Sequence, residues 1–298
     1  MDTRSFLQNW LARGLAVALA LLAGGVPWRA DGSEARFTQA PEIEAGFHLL
    51  YELKFAEARG QFAAWEKAHP EDPLGAASEA ASYLFEEFNA QGVLTSEFFL
   101  DDKRLLGGIS AKPDARRGAA FMAANLRAQK LARTRLATNP RDPGALFALT
   151  IATGMQADYT SIIQKRHLEG LRFVRQAEGH ARDLLEVAPD SADAYLALGA
   201  ANYIIGCLPG YKRFLLHFGG IHGDKPRGMR QLQIAAARGH YLRPFAKILL
   251  ALAALREKQV ELARSNLREL TAEFPGNPLF ARELAKIPPA KPAASSRP

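Results

Sequence analysis

The sequence is short of the residues that carry chemistry. Its 298 residues include one cysteine, Cys207, so no internal disulfide can form and stability must come from packing. Flanked by Ile204, Ile205 and Leu208, that thiol reads as a small buried side chain rather than a nucleophile. A phosphate-cradling Gly-rich loop, a His-Glu-x-x-His helix, a Cys-x-x-Cys pair and a Gly-x-Ser-x-Gly elbow are all missing. The expectation is a chain with no catalytic residues, no cofactor and no metal. His217, His222 and Asp224 come nearest to a site, but three side chains on a Gly-rich turn fall short of the converging ligand set that zinc needs. Asp224 instead reads as a cap for a helix opening at Lys225-Pro226.

Strand-like alternation is scarce, and only 9% of the residues are aromatic. The 48% that are hydrophobic are chiefly Ala and Leu at helical periods, which predicts an all-α chain. Helix stops recur as His69-Pro70-Glu71-Asp72-Pro73, Asn139-Pro140-Arg141-Asp142-Pro143, Ala188-Pro189-Asp190-Ser191 and Phe274-Pro275-Gly276-Asn277-Pro278. Proline lacks the donor that would continue a helix and restricts the residue before it, so helices should finish near His69 and Phe274. The Asp, Ser or Asn that follows can cap the next helix.

Between the stops the spacing is that of helical hairpins. Gly46 and Ala58, and again Ala251 and Ala263, put small residues on two helices where they cross; Phe62 and Leu267 follow on the inward face of the second helix. Gly46, Phe55, Ala58, Phe62 and Pro70, then Tyr195, Leu198 and Gly199 after Pro189, and Val260, Leu267 and Pro275, resemble the tetratricopeptide repeat (TPR) superfamily over roughly residues 42–287. The resemblance implies a right-handed TPR-like solenoid of antiparallel helix pairs, interrupted by irregular insertions. The stops are unequally spaced, Leu149-Thr150 stands where Leu-Gly is usual, and Trp65 stands where alanine is usual. The final third, through Gly220, Asp224, Ala235-Ala236 and Phe274-Pro275, is weakly similar to the eukaryotic inclusion-body-clearance TPR proteins, which implies a non-catalytic adaptor.

Arg4 and Arg13 precede the apolar run Leu15 to Ala23, the layout of a secretory signal over residues 1–30. The run is shorter than the ~20 residues of a bilayer span, so an uncleaved anchor is the second reading. Export to the periplasm or cell envelope follows as the expectation, with membrane association only through this segment. Residues 31–287 form one solenoid domain with no separately folding companion, and the Pro/Ala/Ser-rich tail 288–298 lacks apolar mass to pack.

The net charge of +7 is unevenly placed. Lys212, Arg213, Lys225, Arg227 and Arg230 cluster late, whereas Glu79, Glu86, Glu87, Glu97, Asp101 and Asp102 crowd an earlier stretch. Such polarity can orient a partner. Nucleic acid is not expected, since no recognition motif is present. Two segments break the hairpin rhythm. Residues 89–113 carry Phe98, Phe99, Leu100, Leu105 and Leu106, too apolar to lie unburied; residues 206–220 put Tyr211, Phe214, Leu215 and Phe218 on one face of a short helix beside Lys212 and Arg213. The sequence therefore nominates Phe98, Phe99, Tyr211, Lys212, Arg213, Phe214, Lys225 and Arg227 as partner-binding residues. They would narrow a concave face that takes a protein or peptide. The alternative is a carrier that closes the same aromatics over an apolar small molecule or lipid, an accessory to envelope transport.

Overall fold

The computed structural model describes residues 40–210, Phe214 and 222–288, apart from the side chain of Leu106. Residues 1–39, Tyr211, Lys212, Arg213, residues 215–221 and the tail beyond Pro288 lie outside the described residues, and with them the expected signal, His217 and most of the short aromatic helix. Every regular element among the described residues is helical and no strand occurs among them. The order is α1 (Pro41–Tyr51), α2 (Phe55–Ala68), α3 (Pro73–Ala90), α4 (Ser96–Leu100), α5 (Asp102–Gly107), α6 (Ala115–Thr138) and α7 (Pro143–Asp158). A π-turn (Tyr159–Ile163) extends α7, and then come α8 (His167–Val187), α9 (Ala194–Cys207), α10 (Lys225–Arg238), α11 (Arg243–Arg256), α12 (Val260–Glu273) and α13 (Pro278–Ala285).

The proline stops act as expected. α2 ends at Ala68 with His69 as its C-cap, and α12 ends at Glu273 with Phe274 as its C-cap. Asp72 accepts the Leu74 N–H at 3.0 Å, Asp142 that of Ala145 at 2.9 Å, Asn277 that of Leu279 at 2.9 Å and Asp224 that of Arg227 at 2.9 Å. The second carboxylate oxygen ties each of two caps back to the preceding long helix. Trp65 Nε1 donates to Asp72 at 3.0 Å, and Arg135 donates to Asp142 at 2.7 Å, each from seven positions upstream. Trp65 therefore has a polar task that alanine could not perform. After Pro189 the pattern differs: neither Asp190 nor Ser191 is the cap of α9. That position is held by Asp193, and its side chain serves another element.

Consecutive long helices pack on one another, and α1, α3, α7, α9 and α11 also touch in series. These five form an inner layer. α7 buries almost all of its length, including Phe147, Leu149, Ile151 and Met155, as a helix apolar on every side must. α2, α6, α8, α10 and α12 bury one stripe each and lie outside. Alanines let the layers approach closely: Ala76 and Ala77 of α3, Ala128 of α6, and Ala148 and Ala152 of α7 are fully buried together. At the first crossing a Cβ on Gly46 would run into the Phe62 ring.

The ends of the array meet. Tyr51 of α1 donates its hydroxyl to the Tyr241 carbonyl at 3.1 Å and accepts Asn277 Nδ2 on its own carbonyl at 2.7 Å. Phe47 stacks on Tyr241 with centroids 5.4 Å apart, Phe147 reaches the same ring from the other side at 6.0 Å, and Phe85 meets Phe245 edge to face at 5.0 Å. Aromatic side chains of α1, α3, α7 and the start of α11 thus pack against one another. Burying them against each other contributes more than leaving a wet groove.

Candidate functional site

Short proline turns join the helices where most inner helices begin; the two long connections leave from the other end. Residues 91–114 depart from the C-terminus of α3 and form a strap, with α4 and α5 in it. The strap crosses the C-terminal ends of three other inner helices. Ile109 donates its N–H to Ile162 O of the π-turn at 3.1 Å. Gly108, at φ 72°, lies so close to Ile162 O that a Cβ could not fit. Arg256, the last residue of α11, donates to Phe99 O at 2.5 Å and to the Asp102 carboxylate at 2.6 Å. At the strap's N-terminal side Glu283 accepts the Ser96 N–H at 3.3 Å, and Lys286 pairs with Glu97 at 2.5 Å. The second long segment, 208–224, leaves from the C-terminus of α9 at this same end.

Two apolar clefts flank the strap and share Leu252 of α11 in their walls. One is lined by Phe85, Leu94, Ile248, Leu255, Phe280 and Glu283, with 560 Å³ of unfilled space including its mouth. The other holds 380 Å³ on the same measure. Its walls are Phe99 and Leu105 of the strap, Ala200, Tyr203, Ile204 and Cys207 of α9, Leu232 of α10, and Leu249, Leu252, Ala253 and Arg256 of α11. Ile204 is 39% exposed at its rim. Behind it Tyr203 donates to Glu257 Oε1 at 3.0 Å, and Lys225 holds the same oxygen at 2.8 Å. The Lys225 hydrogen bond keeps the Glu257 carboxyl below its ordinary range, whereas burial drives the Tyr203 phenol far above its own.

The nominated residues divide. Phe98 is buried and packs edge to face on Phe99 at 5.7 Å, so it anchors the strap and is withdrawn from contact with a partner. Phe99 lines the second cleft. Lys225 is partly exposed and pairs with Glu257 at 2.8 Å. Arg227 is exposed, and Phe214 is 63% exposed. Tyr211, Lys212 and Arg213 fall outside the described residues. The acidic crowd is neutralised in place: Glu79 pairs with Arg127, Glu86 with Arg59, Glu87 with Arg117, Glu97 with Lys286 and Asp102 with Arg256. Asp101 caps α5. Arg256 was missed, although an arginine closing the apolar run Ile248 to Leu255 in the last turn of a helix marks the edge of a buried surface. Cys207, expected to be core, lies half-buried in the cleft wall.

Asp158 was missed too. It ends α7 on the face of Phe147, Ile151 and Gly154, is half-buried, and has no ion pair or side-chain hydrogen bond among the described residues. Burial alone pushes its carboxyl up to about 7. A carboxyl held above its unfolded value of ~3.9 binds its proton more tightly in the folded chain. Its share of stability is complete below that value and is lost as pH rises through about 7. Asp158→Asn is therefore expected to match the parent near pH ~4 and to exceed it by about 2 kcal/mol near pH ~8 in denaturant titrations. Parallel stability profiles for the two proteins would refute this assignment.

Comparison with protein-family models, with curated proteins and with solved structures returns no match. Among the described residues no group of three or more His, Cys, Asp or Glu is placed to hold a metal ion. No described helix is long and apolar enough to cross a membrane.

Proposed function

We propose that this chain is a non-catalytic binding protein, a TPR-like right-handed array of helix pairs that takes a small apolar molecule in the cleft between strap and inner helices. One observation carries the reading: Phe99 and Leu105 of the strap face Ala200, Ile204, Leu249 and Leu252 across an apolar-walled cleft whose 380 Å³ includes its open mouth. A peptide groove needs main-chain partners or an open wall. Here the inner wall is filled by Phe47, Tyr51, Phe147 and Tyr241. The same proposal places the protein outside the cytoplasm, on the strength of Arg4, Arg13 and the run Leu15 to Ala23.

Binding of a protein or peptide partner is the second reading. It is favoured by exposed apolar side chains on the irregular segments, Leu100 at 45% and Phe214 at 63%. Native mass spectrometry of protein purified without detergent separates the two. The cleft reading expects a retained organic adduct that Ala200→Trp removes while the melting temperature stays unchanged. An adduct-free parent that also fails to take up any apolar compound during incubation counts against it.

A further inference from the structure

Two of the outer helices carry no acid: α6 runs for 24 residues without an Asp or Glu, and α10 for 14. Part of their positive charge is neutralised by neighbours, Arg117 by Glu87, Arg127 by Glu79, Arg135 by Asp142 and Lys225 by Glu257. The rest is not. Arg116, Lys130 and Arg133 of α6, Arg172 of α8, and Arg227 and Arg230 of α10 are exposed and enter no ion pair among the described residues. On α6 the exposed residues Arg116, Ala123, Leu126, Lys130 and Arg133 follow one another at helical steps of three, four and seven, a stripe about 26 Å long. α8 lies beside both helices. Burial and the Arg133 charge hold the His180 imidazole of α8 below its ordinary range, against Asp183, and burial lifts the Glu178 carboxyl of α8 against the charges of Arg182, Arg175 and Arg227. Arg133 of α6 and Arg227 of α10 thus both act on α8, and the three helices present one surface. Its exposed acids are Asp183 and Glu186, in the last turns of α8; Glu169 pairs with Arg166 and Glu178 with Arg182. Two leucines stand out among the cations, Leu126 at 55% exposure and Leu168, on the stripe of Arg172, at 80%.

We infer that the outward faces of α6, α8 and α10 dock on an anionic phospholipid bilayer. Separate cations spread over a broad face, with small alanines between them, suit a two-dimensional field of phosphates to which each cation adds a similar increment. An acidic peptide would need a groove that orders its charges, and neither cleft has a residue of α6 or α8 in its wall. Leu126 and Leu168 enter the interfacial layer, which relieves two large apolar side chains of contact with water. The attraction is electrostatic in the main, so it weakens as salt screens both partners. This surface is independent of the cleft and of what the cleft binds.

The test is co-sedimentation of the full chain with vesicles of phosphatidylcholine alone and of phosphatidylcholine mixed with phosphatidylglycerol, at low and high salt. The parent is expected to prefer the anionic vesicles, with the preference fading at high salt. Any contact made by the run Leu15 to Ala23 is common to every variant and is read from the neutral vesicles. Lys130→Glu with Arg133→Glu should weaken anionic binding by about twentyfold or more, each cation at the surface being worth about fivefold. Arg268→Glu with Arg282→Glu, at exposed positions of α12 and α13, makes the same change in net charge and should leave binding nearly unchanged. Should the α6 variant fail to fold, Arg227→Glu with Arg230→Glu decides in its place. Equal binding to the two kinds of vesicle, or equal losses from the face pair and the control pair, overturns the inference. A parent that ignores both vesicles overturns it too, and polyglutamate binding that Lys130→Glu with Arg133→Glu abolishes would then give the face to an acidic protein.

Discussion

Asp193→Ala is expected to lower the unfolding free energy by about 3–5 kcal/mol. Asp193 is buried at the start of α9, yet its carboxylate accepts no N–H from its own helix. It reaches instead to the turn before α11. Oδ1 takes the N–H of His240 at 2.8 Å and that of Leu242 at 3.2 Å, and Oδ2 takes the N–H of Tyr241 at 3.1 Å. Alanine would leave three backbone donors without their acceptor, that of Tyr241 buried and those of His240 and Leu242 part-buried, and a gap beside them. The turn it organises presents Tyr241, whose carbonyl accepts from Tyr51 and whose ring stacks between Phe47 and Phe147. Losing it would loosen the junction between α1 and the turn before α11 as well as its own surroundings. Asp193→Asn keeps one accepting oxygen and should fall between alanine and the parent. Equilibrium denaturation read by far-ultraviolet circular dichroism measures both, and a loss below about 1 kcal/mol for alanine would mean that the turn holds without its acceptor.

Gly228→Ala should cost about 2–4 kcal/mol for one added methyl group. α9 and α10 touch backbone to backbone. A Cβ at Gly228 would lie 2.6 Å from Tyr203 N and 2.8 Å from Gly199 O, and one at Gly199 would lie 2.9 Å from Leu232 N. Backbone atoms inside helices cannot rotate aside, so the two helices must separate. Separation draws Tyr203 away from Ala253 O and Glu257, at 3.2 and 3.0 Å, and opens the cleft wall that α9 and α11 share. The same substitution at Gly154, where a Cβ meets nothing within 4 Å, should instead add about 0.5–1 kcal/mol through helix propensity. Opposite signs from one chemical change at two helical glycines separate close approach from propensity. A neutral Gly228→Ala would show that α9 and α10 are not pressed together.

How much of this was legible in the sequence follows from the range over which each feature is determined. The stops at Pro70, Pro140, Pro189 and Pro275 act within three or four residues, and with them came the ends of α2 and α12 and the caps Asp72, Asp142, Asn277 and Asp224. The small residues Gly46, Ala58, Ala251 and Ala263 also announced their crossings, and the last three are essentially fully buried. The meeting of Tyr51 with Tyr241 and Asn277 was not legible. Whether an array stays open or closes depends on the summed rotation of every helix pair, which no local pattern records. Charge was misread for a related reason: Glu97 finds Lys286, and Asp102 finds Arg256, across more than a hundred and fifty positions. The apolar character of residues 89–113 called for folding back or an apolar surface; Phe98 is buried and Leu100 is 45% exposed, and the pattern named no surface to receive them. Phe98 went to the core and Phe99 to the cleft because neighbours in a strap that crosses a wall point in different directions.

The central claim is that the space beneath the strap is a binding site, and a titration with the uncharged solvatochromic dye Nile red tests it most directly. The account predicts a blue-shifted emission that saturates at one dye per chain and is lost in Ala200→Trp, whose indole fills the cleft, with the melting temperature held. Emission that rises without saturation, or that saturates equally in Ala200→Trp, would contradict it.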